Sequence, residues 1–183
     1  MKRVVSLFFV ILMLFAACFQ MSSCKAKQPD YGNKVGDRCF AIELEAYNGR
    51  ETFSIEENFG KVTVLNFWAT WCRPCVTEIT DEFPRVTKAY GDKVSIVAVH
   101  ITTRSTDVQN YIHTYFPHHN IIFCQDKEMT PNDGGYYYNL TGGEGYVPYT
   151  LILDGNGVIV EKIVGGTDYD TLKEIIDEIL EEQ

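Results

Sequence analysis

Two closely spaced cysteines at the end of an apolar run constrain the fold of this chain more than any other feature. Val62 to Trp68 is rich in β-branched and aromatic residues and has the length of a buried strand. Cys72 and Cys75 follow at once, and the pattern from Val76 to Tyr90 is mostly helical. The sequence therefore places both cysteines where a buried strand passes into the N-terminus of a helix.

This location favours a redox-active pair. The amide N–H groups and the dipole of a helix N-terminus stabilise a thiolate at Cys72, and Arg73 adds a positive charge beside it. Cys75 follows one helical turn later, where it can close a disulfide with Cys72. Pro74 suits the first turn, because a proline there forfeits no helical hydrogen bond. We predict that Cys72 is the nucleophile and that Cys75 resolves the mixed disulfide.

A zinc site and a purely structural disulfide are the alternatives for this pair. Zinc requires two further ligands, usually a second closely spaced pair, whereas Cys39 and Cys124 are isolated and His118 and His119 form a lone adjacent pair. A structural disulfide across so short a loop would remove little entropy from the unfolded chain. Thiol–disulfide exchange is therefore the favoured chemistry, and we expect it to need no metal and no organic cofactor.

The N-terminus has the pattern of an exported protein. Lys2 and Arg3 precede an apolar run from Val4 to Ala17, which predicts a signal peptide over residues 1–23. A retained transmembrane anchor is the alternative, although the run is short for a span of about 20 residues. Export implies a periplasmic or other extracytoplasmic location, where disulfides persist.

Two cysteines near the predicted cleavage region resemble the lipid-accepting cysteine of a bacterial lipoprotein. Cys18 and Cys24 each follow small residues, and we prefer Cys24 because the residues after it are polar. Residues 24–34 would then be a tether, residues 35–183 a single folded domain, and a lipid on Cys24 would hold the protein at the membrane. The net charge of −9, without a basic stripe, argues against binding to nucleic acid.

Strands alternate with helices along the rest of the chain, which predicts an α/β fold with parallel pairing. The expected order is an N-terminal β-hairpin extension, then β-α-β-α-β, then β-β-α, in a mixed central sheet with helices on both faces. Pro84 should kink or interrupt the helix after the cysteines. Residues 126–145, rich in glycine and tyrosine, are either a loop with one helical turn or a short helix with a glycine-rich exit. The predicted strands are 38–45, 51–55, 62–68, 93–101, 120–124, 149–154 and 158–164, and the predicted helices are 76–90, 105–116 and 167–182.

Three stretches carry a likeness to a known family: Asn66 to Glu78, Tyr146 to Thr150, and the predicted hairpin from Leu151 to Val160. On these residues the chain resembles the thioredoxin superfamily, and within it the TlpA/ResA-like extracytoplasmic thiol–disulfide oxidoreductases. The likeness extends from about residue 35 to about residue 182. It implies a thioredoxin-like fold and an enzyme that exchanges its disulfide with those of other proteins.

The resemblance also assigns the substrate-binding residues. It implies that Pro148 follows a cis peptide bond and faces the cysteine pair, and that the Val147 backbone pairs with an extended substrate strand. Trp71 and Arg73, on either side of the first cysteine, would complete the docking groove.

Glu78 is the predicted proton carrier. It lies three residues after Cys75 on the same helical face, while Asn66 stands where thioredoxins usually have a buried Asp that relays protons. The TlpA/ResA-like family has a Glu at this spacing, and the resemblance implies the same role for Glu78. A carboxyl group in an apolar environment can exchange a proton near neutral pH. The alternative is an exposed Glu that only favours the helix dipole.

The resemblance implies protein disulfides as substrates and a membrane thiol-transfer protein as electron donor. The protein would act as a reductant, with apocytochrome c among the candidate substrates. Three alternatives stay open: a peroxiredoxin-like thiol peroxidase with Thr70 near its cysteine, a copper-delivery protein of thioredoxin fold that uses His100 or His113, and a non-catalytic binding module. Cys39 and Cys124 lie in predicted strands, so by default we expect each to be a buried thiol that packs like a small apolar residue. A disulfide between them is the alternative.

Overall fold

The computed structural model describes residues 29–47, 52–101, 106–117, 120–127, 135–143 and 145–182. The predicted signal peptide, Cys18, Cys24, the start of the tether and residues 48–51, which include the Asn-Gly turn predicted for the N-terminal hairpin, lie outside these ranges. Within them, no helix is both long enough and apolar enough to cross a membrane.

The strands form a small parallel pair and a large mixed sheet. The pair consists of β1 (Tyr31–Gly32) and β2 (Arg38–Cys39). The strands of the large sheet are β3 (Glu43–Ala46), β4 (Thr52–Ser54), β5 (Val62–Trp68), β6 (Val94–His100), β7 (Ile122–Gln125), β8 (Tyr149–Leu153) and β9 (Ile159–Val164). Their order across the sheet is β4-β3-β7-β6-β5-β8-β9. Strand β5, which leads to the cysteines, lies between parallel β6 and antiparallel β8.

The helices cover both faces of this sheet, as the sequence predicts. They are α1 (Arg73–Thr77), α2 (Phe83–Tyr90), α3 (Thr106–Tyr115), α4 (Gly135–Thr141) and α5 (Tyr169–Glu182), and a π-helical segment (Glu78–Glu82) joins α1 to α2. Short 3-10 turns span Ile55–Asn58 and Gly91–Lys93.

Alternate side chains of β5 enter two separate cores. Val64 packs with buried residues of α2, α3 and α5 on one face, whereas Leu65 and Phe67 pack with α4 and the β3–β4 hairpin on the other. All seven residues of β5 are buried, since helices or hairpin cover both sides of it. The strand that leads to the cysteine pair is therefore enclosed on both of its faces.

The predicted strand 38–45 is wrong in one respect, because it divides into β2 and β3. The N–H of Cys39 donates to the Gly157 carbonyl at 2.9 Å, whereas the carbonyl of Ile42 accepts from the Ile55 N–H at 3.1 Å. The chain therefore bonds first to the β8–β9 turn and then to β4 of the hairpin, and no continuous hydrogen-bond ladder connects β2 to β3. The predicted hairpin itself is confirmed by antiparallel pairing of β3 and β4.

The helix after the cysteines is interrupted just before Pro84 by a change from α-helical to π-helical hydrogen bonding, but the chain stays helical through the proline. The helix starts at Arg73, directly after Cys72, and continues through the π-helical segment into α2. The Phe83 N–H donates to the Glu78 carbonyl, five residues back, one residue before the proline. A π-helical turn lets the helix absorb such a local irregularity and continue.

Within residues 126–145, the described ranges 135–143 and 145 follow the second of the two sequence-based alternatives. The short helix α4 ends in Gly142 and Gly143, whose φ angles of 69° and 81° lie in the left-handed region that glycine tolerates best. The Gly143 N–H caps the helix by donating to the Tyr138 carbonyl at 3.0 Å.

Candidate active site

The cysteine pair lies at the carboxyl end of β5, in the first turn of α1. A Cys72–Cys75 disulfide joins the two residues. Cys72 is the N-cap of α1, and its sulfur accepts a hydrogen bond from the Cys75 N–H at 3.3 Å. Pro74 occupies the start of the helix, as the sequence predicts. A thiolate at Cys72 would therefore gain an amide hydrogen bond and the helix dipole.

The two sulfurs differ in how they meet solvent. Cys72 retains 4% of its exposure and Cys75 retains none, while the neighbouring Trp71 is 69% exposed. Arg73 is also exposed. A partner can therefore reach the disulfide only from the side of Cys72, next to an aromatic ring and a guanidinium group.

The Val147–Pro148 peptide bond is cis, which confirms the prediction from the family resemblance. The Pro148 carbonyl accepts a hydrogen bond from the Gly165 N–H at 2.9 Å. The next residue, Gly166, lies against the cysteine helix: a Cβ on it would stand 3.8 Å from Cβ of Pro74 and 4.0 Å from Oε1 of Glu78. Gly165 therefore contacts the cis-proline loop, and the adjacent Gly166 contacts the cysteine helix.

Glu78 is buried, with 2% of its surface exposed, so the exposed-Glu alternative is wrong. Its Oε1 accepts a hydrogen bond from the Thr167 N–H at 2.7 Å, and its Oε2 accepts from Nδ2 of Asn66 at 3.2 Å. The same Nδ2 donates to Oγ1 of Thr150 at 2.9 Å. The carboxyl group therefore bridges the cysteine helix, β5, and the segment before α5.

Burial raises the pKa of Glu78 from 4.5 to about 7. The hydrogen bonds from Thr167 and Asn66 act in the opposite direction, and the negative charge of Glu82 adds to the increase. A carboxyl group with this pKa holds and releases a proton at neutral pH, one helical turn from Cys75.

The fold and this arrangement agree with comparisons to known proteins. A sequence model of the Redoxin family matches residues 34–179. The chain belongs to the Redoxin family. The thioredoxin-like protein YneN of Bacillus subtilis (strain 168) is 32% identical over 139 residues, which cover 74% of this chain and 75% of YneN. The thiol-disulfide oxidoreductase ResA of Halalkalibacterium halodurans is 28% identical over 148 residues, which cover 79% of this chain and 76% of ResA.

A solved structure supports the fold. The DsbF homologue of Corynebacterium diphtheriae superposes with a TM-score of 0.64 at 22% identity, over 87% of this chain and 98% of that one. The TlpA/ResA-like resemblance is confirmed, and this Redoxin-family protein is a thiol–disulfide oxidoreductase with a thioredoxin-like fold.

Sequence reasoning missed the partners that position Glu78. Thr150 stands within a recognised motif, but its contact depends on the β5–β8 register, which pairs it with Asn66. The Thr167 N–H lies 89 residues from Glu78 along the chain. A cross-strand Asn–Thr pair beside a buried carboxyl could have suggested the first contact, and no local signal could have suggested the second.

The structure also places the other candidate residues of this Redoxin-family protein. His100 is fully buried with its ring 5.1 Å from that of Trp68, and His113 is exposed on α3. Within the described ranges, no three His, Cys, Asp or Glu side chains are grouped as metal ligands. Cys39 and Cys124 are buried and not joined by a disulfide, which confirms the default interpretation. Burial raises the pKa of Cys39 to about 12, so that thiol stays protonated.

Glu78→Gln should change how the stability of the oxidised protein depends on pH. Because the pKa of Glu78 is raised to about 7, the folded protein binds a proton more tightly than the unfolded chain between its ordinary pKa of 4.5 and that value. The free energy of unfolding should therefore fall as the pH rises through this window. We expect the wild-type value to lose on the order of 2–3 kcal/mol relative to Glu78→Gln between about pH 4 and about pH 8.

Urea denaturation of the oxidised protein, in which the cysteines do not titrate, measures this difference. Glu174→Gln, an exposed position on α5, is the matched control and should follow the wild type. A constant difference between wild type and Glu78→Gln across the pH range would contradict a raised pKa for Glu78.

Proposed function

We propose that this protein is an extracytoplasmic reductant of protein disulfides. The observation that carries the proposal is the buried carboxyl of Glu78 one turn after a helix-capping cysteine pair. A structural disulfide has no use for an ionisable group in an apolar environment. Thiol–disulfide exchange does, because a thiol must lose its proton before it attacks.

The exchange begins with the reduced protein. The Cys72 thiolate attacks one sulfur of a substrate disulfide, and a mixed disulfide forms as the other substrate sulfur leaves as a thiolate that takes up a proton. The Cys75 thiol then gives its proton to the Glu78 carboxylate and attacks the Cys72 sulfur. This second attack releases the remaining substrate sulfur as a thiolate, which also becomes protonated. Glu78 then releases its proton, so one of the two protons that the substrate gains comes from Cys75 by way of Glu78, and the other comes from solvent, which took the proton that Cys72 lost when its thiolate formed. Two electrons pass to the substrate, and Cys72 and Cys75 become a disulfide.

The polar partners of Glu78 suit both of its protonation states. Nδ2 of Asn66 donates to the carboxylate, and Oδ1 of Asn66 has no hydrogen-bond partner among the described residues. When Glu78 is protonated, a half-turn of the Asn66 amide would present Oδ1 as an acceptor to the acid. The Thr150 hydroxyl can then donate to Oδ1 instead of accepting from Nδ2. Asn66 thus supports proton exchange although it cannot ionise.

Substrate binding is assigned to the surface around Cys72. The exposed side chains of Trp71 and Arg73 border the cysteine, and Val147 stands just before the cis-proline. An extended substrate segment would pair with the Val147 backbone by β-augmentation, which brings its disulfide to Cys72. Main-chain pairing accepts many sequences, and this breadth fits a reductant of several proteins.

The location and the electron supply follow from the sequence. A signal peptide and a lipid on Cys24 would place the domain outside the cytoplasm and at a membrane surface. Each turnover consumes two electrons, so a second thiol protein must reduce the Cys72–Cys75 disulfide again. A membrane thiol-transfer protein fits this role, and a place in cytochrome c maturation follows from the same family resemblance.

Cys75→Ser should trap substrates. Without Cys75 the mixed disulfide on Cys72 cannot be resolved, so adducts that a reductant dissociates should accumulate when the variant is expressed in the native host. Non-reducing electrophoresis followed by mass spectrometry identifies them. Cys72→Ser should give no adducts, and Cys39→Ala should resemble the wild type. Adducts that persist in Cys72→Ser would contradict the assignment of Cys72 as the nucleophile.

Glu78→Gln should slow the exchange and alter its pH profile. Glutamine keeps the size of the buried group and one of its two acceptor oxygens but cannot accept the Cys75 proton, so we expect a loss of about ten-fold or more near neutral pH. The measurement is the rate of reduction of a disulfide-bonded peptide across pH, together with the titration of the two thiols. Glu174→Gln again serves as the control. A wild-type pH profile in Glu78→Gln would rule out a proton-carrying role.

The mature protein should begin at a lipidated Cys24. Mass spectrometry of the N-terminal peptide tests this directly, and two variants provide matched controls. Cys18→Ala should keep the lipid, whereas Cys24→Ala should lose it and leave the membrane fraction. A lipid on Cys18, or a free N-terminus at another residue, would contradict the prediction.

A further inference from the structure

Tyr137 of α4 holds the segment that leads into the cis-proline. Its hydroxyl donates a hydrogen bond to the Tyr146 carbonyl at 2.9 Å, directly before the Val147–Pro148 bond. Its ring lies 5.4 Å from that of Phe67 in β5, on the face of the sheet opposite to Glu78. A side chain of the short helix therefore links the central strand to the cis-proline loop.

The helix that presents Tyr137 is fixed at its start. Asp126 follows β7, and its carboxylate accepts hydrogen bonds from the N–H groups of Tyr136 and Tyr137, each at 3.0 Å. The Glu43 N–H of the hairpin donates to the Tyr136 hydroxyl at 3.2 Å. Contacts from the sheet and from the hairpin thus set the position of α4 before it reaches the loop.

The connection from α4 to the loop cannot position the loop by itself. Gly142, Gly143 and Gly145 all have φ angles in the left-handed region, between 69° and 81°. A glycine-rich connection has many accessible backbone conformations, so ordering it costs more than for other residues. The Tyr137 hydroxyl supplies a fixed contact at the far end of this connection, one residue before Val147.

The Val147 backbone is open to a partner. None of the backbone hydrogen bonds found within the described residues uses its N–H or its carbonyl, whereas the next carbonyl, that of Pro148, is bonded to Gly165. The Tyr146 carbonyl is therefore bonded to Tyr137 and the Pro148 carbonyl to Gly165. The Val147 backbone between them remains available for pairing with an incoming strand.

We propose that Tyr137 is a positioning residue that selects extended polypeptide substrates, because it holds the Tyr146 carbonyl and so fixes the Val147 backbone for pairing. The proposal rests on the proposed function, since it concerns how a protein disulfide is presented to Cys72. A small disulfide reaches Cys72 without strand pairing and has no need of this contact. Tyr137 should therefore affect substrates that extend along the loop and leave the reactivity of the dithiol unchanged.

Tyr137→Phe tests the proposal, because it removes the hydroxyl and keeps the ring against Phe67. The reduced protein is assayed with two probes: insulin, a disulfide-bonded polypeptide, and the small aromatic disulfide 5,5′-dithiobis(2-nitrobenzoic acid). Loss of one hydrogen bond predicts that kcat/KM for insulin falls about five-fold, through KM, with the rate toward the small disulfide unchanged. Tyr138→Phe is the matched control, since Tyr138 is 54% exposed on the same helix. It should behave as the wild type with both probes.

The outcomes separate this inference from the proposed function. An equal loss with both probes, or no loss with insulin, would overturn the role of Tyr137 while the exchange activity stands. A loss through kcat with unchanged KM would also overturn it. Failure of the wild type to reduce either probe would overturn the proposed function, and the positioning role with it.

Discussion

The structure of the site depends on one buried carboxyl group. Burying an ionisable side chain is costly unless its polar atoms are satisfied, and Glu78 meets this requirement with donors from two distant parts of the chain. Asn66 reaches it from β5, and the Thr167 amide reaches it from the segment that precedes α5. Both partners lie on the face of the sheet that α2, α3 and α5 cover. The same hydrogen bonds that satisfy Glu78 hold the cysteine helix against the sheet, so the carboxyl group that we propose as the proton carrier also helps to fix the position of the cysteine pair.

The π-helical segment of the cysteine helix is also connected with the burial of Glu78. Glu78 opens the π-helical segment, and its carbonyl accepts from the Phe83 N–H five residues on. Buried residues continue on both sides of the segment, with Ile79 within it and Phe83 after it. The helix therefore passes Pro84 without turning its apolar face away from the sheet. A break at the proline would have left the first turn as a short separate helix, whose N-terminal amides alone would hold the cysteines.

Local pattern was enough to predict the central strand and the capping cysteine, because each depends on residues close together in sequence, whereas the role of Glu78 also rested on the family resemblance. The cis-proline came from the family resemblance, since X-Pro bonds are rarely cis and no local signal required it. Contacts between segments far apart could not be predicted. The link from Tyr137 to Tyr146 depends on where α4 packs, and the Asn66–Thr150 contact depends on strand register. The divided strand was also out of reach, since Phe40 and Ile42 keep the alternating pattern where the ladder is interrupted.

Two neighbouring residues of β5 contact the proposed proton carrier and the proposed positioning residue for substrate. Asn66 points to the face where Glu78 lies and donates to its carboxyl, whereas Phe67 points to the other face and contacts the Tyr137 ring. The sheet lies between these two contacts, and its pleat sends adjacent side chains to opposite sides. Proton exchange and positioning of the cis-proline loop can therefore change separately, although one strand supports both.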